Sequence, residues 1–90
     1  MRFDWDSTKA RKNLRKHGVS FDEASSVFYD QLAVTGADPD HSEDDERLIT
    51  FGMSSQSCLL VVSHTEHGEA IRIISARPAT PYERQIYEEG

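Results

Sequence analysis

The 90-residue chain holds one cysteine, three prolines and one tryptophan. A lone thiol, Cys58, cannot close an internal disulfide, and the sequence therefore points to a reducing compartment, the cytoplasm. Cys58 opens the apolar run CLLVV, where it is expected as a buried small hydrophobe rather than a catalytic thiol. No apolar stretch approaches the roughly 20 residues of a membrane span, and the start, MRFDWDSTKARK, has no apolar segment of signal type, so no membrane partner is expected. Positive charge is missing altogether from residues 19–46, which carry nine Asp and Glu.

What is present is unevenly spread. The net charge is −6, yet residues 1–18 carry six Lys and Arg against two Asp. Such asymmetry fits two surfaces with different partners, and it fits equally well ordinary solvated faces. The length corresponds to one domain, residues 1–90, with a small core and little stability to spare.

The pattern of elements is legible. Phe3 to Trp5 reads as a short strand. Asp6 can cap a helix over 7–17, with Gly18 placed to stop it. Lys9, Lys12 and Lys16 share one face of this helix, and Ala10, Leu14 and His17 form the opposite stripe. Ser20 and Glu23 have capping-box spacing, followed by the buried stripe Phe21, Ala24, Val27 and Phe28 of a helix over 21–29. Strands follow over 32–37, 47–53, 57–65 and 70–76. The third of these is apolar on both faces and is expected at the centre of the sheet. Thr80, Pro81 and Glu83 open a last helix over 81–88. The expected fold class is α+β: a small antiparallel sheet packed by helices on one side, in the order β-α-α-β-β-β-β-α.

The stretch IRIISARPATPYER concentrates the chemistry. Strict alternation puts Ile71, Ile73 and Ser75 on one face and Arg72, Ile74 and Ala76 on the other, with Arg77 at the end on the Ile71 side. Thr80 then opens a helix whose free N–H groups favour an anion. Arg77 beside that pole can hold a phosphate, or it can pair with Glu83 or Glu69 as a surface bridge. Glu83 is read as a cap first. His64 and His67, three apart near Glu66, lack further ligands at metal-site spacing, so neither metal nor cofactor is expected. His67, if near Arg77, can move a proton at neutral pH. Arg47, Arg77 and Arg84 with His67 are the candidate catalytic groups. Lys9, Lys12, Lys16, Arg72 and Tyr87 are the candidate nucleic-acid contacts. RNA cleavage through its own 2′-hydroxyl requires only orientation, charge neutralisation and proton movement, which such residues supply.

The blocks FDWDSTKARKNLRKHGVSFDEASSVFYD, DDERLITFGMS, LLVVSHTEHG and IRIISARPATPYERQIYE, in that order from Phe3 to Glu88, resemble the BrnT toxin family. The family's blocks fall here on Asn13 to Gly18, on Glu46 and Arg47, on Ser75 to Arg77, and on Glu83, Arg84 and Tyr87. The one departure is His67, where the family pattern implies arginine. The resemblance implies a RelE-like fold and a metal-independent ribonuclease toxin of a type II toxin–antitoxin system that inhibits translation. It implies a BrnA-like ribbon-helix-helix antitoxin as partner, a 2:2 hetero-oligomer, and contact with operator DNA only through that antitoxin. The acidic stretch 38–46 would then meet a basic antitoxin segment. The alternative is a non-catalytic antitoxin-binding co-repressor, which His67 and the net charge favour.

Overall fold

The computed structural model describes residues 1–39 and 46–90; the acidic positions Asp40 to Asp45, and with them His41, Asp44 and Asp45 of the expected antitoxin contact, lie outside the described residues. The chain forms β1 (Arg2–Asp4), α1 (Ser7–His17), α2 (Phe21–Ser26), a 3-10 turn (Val27–Tyr29), β2 (Val34–Ala37), β3 (Leu48–Met53), β4 (Leu59–His67), β5 (Ala70–Pro78) and α3 (Pro81–Glu89). It is a mixed α+β architecture built on one five-stranded sheet of order β1-β5-β4-β3-β2. No helix among the described residues is long and apolar enough to cross a membrane.

The caps explain where the helices begin. The Asp6 carboxylate accepts from the Lys9 N–H at 2.9 Å, and Gly18 ends α1 in the left-handed region at φ 70°. That conformation is nearly free for glycine and costly for other residues. Ser20 caps α2 through the Glu23 N–H at 3.0 Å. The expected reciprocal half of that box is missing, because the Glu23 carboxylate instead accepts from the Ser54 hydroxyl at 2.7 Å. The expected single helix over 21–29 tightens into a 3-10 turn at Val27, which brings Val27 and Phe28 under the sheet.

The core lies between one sheet face and the α1–α2 pair. Val19, Phe21, Ala24 and Val27 pack against Leu60, Val62, Ile73 and Ala76. Full burial of each larger side chain contributes roughly 1.5–3 kcal/mol. The α1 stripe differs from the expected one: Leu14 is exposed and Asn13 is the buried residue. Its amide nitrogen donates to the carbonyls of Val19 and Ala76 at 3.0 and 2.8 Å, and its oxygen accepts from the Ala76 N–H at 3.1 Å. β1 pairs with β5 only as far as Arg72. Beyond that point the Asn13 amide serves β5 as a neighbouring strand would, and so fixes α1 beside the sheet.

Three further sequence expectations change. β1 runs parallel to β5, so the sheet is mostly rather than wholly antiparallel. The long crossover through the helices and β2–β4 returns the chain in the same direction, as parallel pairing requires. Cys58 is exposed, not buried. The hairpin turn runs on through Ser57, which has φ 62°, and β4 opens only at Leu59, leaving Cys58 outside the ladder. The alternation of β5 is broken by a bulge. Ser63 pairs with Ser75 but His64 with Ile73, which leaves Ile74 as an extra residue in β5. Such a bulge re-aims every later side chain. Ile71, Ile73 and Ala76 therefore all face the helices, and Ser75 and Arg77 turn to the opposite face.

Candidate active site

On that opposite face lies a cavity of about 190 Å³. Its floor is a cross-strand row, Ile49 of β3, Ser63 of β4 and Ser75 of β5, which the ladder places side by side. Val61 and Arg77, opposite each other on β4 and β5, form the next row. Arg47 enters just before β3, and Asp38 and Glu83 complete the wall. Arginines thirty residues apart in sequence thus meet because β3, β4 and β5 are adjacent and because the bulge points Arg77 this way.

Arg77 is held as a fork. Its two terminal nitrogens donate to the two Glu83 carboxylate oxygens, both at 2.7 Å, and one also reaches the Pro78 carbonyl at 3.3 Å. Glu83 is pinned from its other side by the capping box of α3: the Thr80 N–H donates to its Oε1 at 2.9 Å, and the Glu83 N–H donates to the Thr80 hydroxyl at 3.2 Å. The Arg77 hydrogen bonds, opposed by partial burial and aided by the Thr80 N–H, hold the Glu83 carboxyl down at about 2. Glu83 is therefore an anion throughout the physiological range, a weak base and no proton donor. Of the two sequence readings of Arg77, its bridge to Glu83 is formed, with the arginine side chain still 40% exposed. Asp38 is buried in the wall, and the Ser63 hydroxyl donates to it at 3.4 Å.

The other expected site residues are distributed as follows. Lys9, Lys12 and Lys16 line a groove of about 210 Å³ with Asn13, His17, Ile74 and Ser75. Ser75 lines both this groove and the arginine cavity, so the two adjoin at that residue. Arg84 faces a separate groove of about 350 Å³ beside His17, Glu23 and Cys58. His67 pairs with Ala70 at the exposed far end of β4 and β5, whereas Arg77 pairs with Val61. Seven residues of strand separate the two ends, roughly 20 Å at the usual rise, so the expected proximity of His67 to Arg77 is not found. Arg72 bridges Asp4 at 2.9 Å across the β1–β5 pair. The Tyr87 hydroxyl donates to Asp30 at 2.7 Å, which raises the Tyr87 pKa and ties α3 to the 3-10 turn.

His64 lies on the helix side of the sheet, fully buried. Its Nε2 contacts the Thr50 hydroxyl at 2.7 Å, and burial pushes its pKa down to about 4. It faces away from the cavity and serves the core. Among the described residues no group of three His, Cys, Asp or Glu is arranged to hold a metal ion. Sequence reasoning missed Asp38 and Ser63 as cavity residues. Ser63, one polar residue closing the run LLVV, carried a weak signal; Asp38, inside an acidic stretch, carried none.

Comparison with known proteins adds the family. The chain is similar over 89% of its length to the crystal structure of the Brucella abortus ribonuclease toxin BrnT, covering 97% of that chain at 25% identity with a TM-score of 0.70. No curated protein matches it. The family described as "Ribonuclease toxin, BrnT, of type II toxin-antitoxin system" matches residues 5–83, from the end of β1 to the Glu83 that closes on Arg77. This chain belongs to the BrnT family of ribonuclease toxins, the toxin halves of type II toxin–antitoxin pairs whose partner is an antitoxin.

Proposed function

We propose that residues 1–90 form a single RelE-like toxin domain that cleaves RNA without metal or cofactor and thereby inhibits translation in the cytoplasm. Its antitoxin is a BrnA-like ribbon-helix-helix protein, bound 2:2, through which alone the toxin reaches operator DNA. The observation that carries the catalytic part is the meeting of Arg47 and Arg77 in one cavity, which shares Ser75 with the lysine groove of α1. In this reading a phosphodiester seats against the two arginines, and Lys9, Lys12 and Lys16 hold flanking phosphates. The 2′-oxygen gives up its proton to water and attacks the adjacent phosphorus. The P–O5′ bond breaks, the leaving oxygen takes up a proton from water, and a 2′,3′-cyclic phosphate and a 5′-hydroxyl result. The arginines offset the charge that develops on the phosphorane oxygens. His67 and Arg84 stand outside this centre and face more distant parts of the RNA.

The purified chain is expected to degrade RNA in excess EDTA. Arg77→Ala and Arg47→Ala should each lower the rate by about 100-fold, the usual scale for losing one transition-state donor, with thermal unfolding still cooperative. Cleavage that appears only with added divalent metal, or full activity in Arg77→Ala, refutes the mechanism. One observation favours the non-catalytic co-repressor: the Arg77 fork is already closed by Glu83. Induction without antitoxin separates the two readings, since a toxin stops growth and a co-repressor does not.

A further inference from the structure

The Arg77–Glu83 contact has the form of a ligand complex. Two parallel N–H···O bonds of equal length join a planar fork to two oxygens of one anion. A phosphodiester presents two unbridged oxygens to arginine in the same manner. The pair lies in the cavity wall beside Arg47, and Arg77 remains 40% exposed while Glu83 is 16% exposed. The carboxylate also accepts from the Thr80 N–H. Glu83 can therefore release Arg77 and stay seated on the helix cap, which lowers the cost of the exchange because the carboxylate keeps one partner.

We propose that Glu83 is a built-in occupant of the phosphate seat on Arg77, displaced by an RNA phosphate when substrate binds. Resting on the reading that this cavity binds RNA, it adds that the anion site is self-neutralised in the free chain. Affinity for RNA is then set by a competition: the incoming phosphate must outbid an internal carboxylate for the same two nitrogens. The competitor is anchored by the capping box, so its effective concentration at Arg77 is high and constant. Only an anion that also engages Arg47 and the neighbouring lysines gains enough to replace it. Inorganic phosphate, making one such contact set, binds weakly, and a polyanionic strand binds well.

The test uses the full chain and a 2′-O-methyl hexanucleotide, which keeps the RNA phosphates and lacks the nucleophile, titrated by fluorescence anisotropy at fixed low salt. Glu83→Gln keeps an oxygen for the Thr80 N–H and removes the charge. It should tighten binding about tenfold, the factor that corresponds to about 1.4 kcal/mol. That gain should vanish in an Arg77→Ala background. Glu83→Asp, too short to meet both nitrogens, should tighten binding by less, and it serves if the glutamine variant does not fold. Unchanged or weaker binding in both variants overturns the competition. If Arg77→Ala alone leaves binding unaltered, the RNA reading of the cavity falls and this inference falls with it. If Arg77→Ala weakens binding and neither Glu83 variant strengthens it, the RNA site stands and only the role of Glu83 is refuted.

Discussion

At His64 the ring sits in the core with its edge geometry set by Phe28, 4.8 Å away at 88°, and its Nε2 on the Thr50 hydroxyl, which in turn contacts the Thr35 hydroxyl at 2.8 Å. Burial lowers its pKa to about 4 from an ordinary 6.5. Between those values the unfolded chain binds a proton that the folded chain refuses, so acidification favours unfolding. Stability is expected to fall from pH 6.5 to pH 4 by up to about 1.4 kcal/mol per pH unit. Glu83, held at about 2 from 4.5, extends the loss below pH 4.5, because the folded carboxylate resists the proton that the unfolded one accepts. Urea midpoints measured between pH 3 and pH 8 check this. His64→Gln should flatten the upper part of the curve and leave the lower part in place; an unchanged profile would show that His64 is not the group responsible.

At the scale of elements, the 3-10 turn and β3 meet through the absence of a side chain. A Cβ on Gly52 would come within 2.6 Å of Val27 Cγ1 and 3.1 Å of the Ala33 Cβ. Val27 is fully buried and has nowhere to move. Gly52→Ala should therefore destabilise by about 1–3 kcal/mol, the usual cost of overpacking a filled site. The denaturation midpoint reads this directly, and a wild-type midpoint would mean that the turn can lift off β3. The same turn carries Asp30, whose carboxylate gathers the Met53 N–H, the Leu32 N–H and the Tyr87 hydroxyl. Burial alone would raise the Asp30 pKa, but these bonds together lower it. Tyr87, which the sequence offers as an RNA contact, fastens α3 to that junction through its hydroxyl.

For the whole molecule, the proposed binding of RNA requires a chain of net charge −6 to meet a polyanion with its basic side forward. The arginine cavity and the lysine groove share Ser75, and in that reading the field of the acidic residues elsewhere would orient the encounter. Changing Lys9, Lys12 and Lys16 together to glutamine should reduce the slope of log affinity against log salt by about two, at roughly 0.7 per single-strand phosphate contact. Cleavage at saturating RNA should persist, because the lysines border the site and do not line it. An unaltered salt slope would place the RNA elsewhere on the surface.

Local signals determined much of this protein. The caps at Asp6, Ser20 and Thr80, the stop at Gly18 and the doubly apolar run of β4 are short-range features, and they fixed the helix starts and the central strand. The basic face of α1 follows from spacing alone. The tertiary structure decided which cations share a cavity. That depended on one extra residue at Ile74, which turns Ser75 and Arg77 away from the core, and on a strand order that sets β3, β4 and β5 side by side. Neither can be read from strict alternation, because the bulge shifts the phase of β5 at Ile74 and its position is set by pairing with β4. Asn13 has the same history: it stands between Lys12 and Leu14, and only the unpaired rim of β5 makes it the residue that α1 buries.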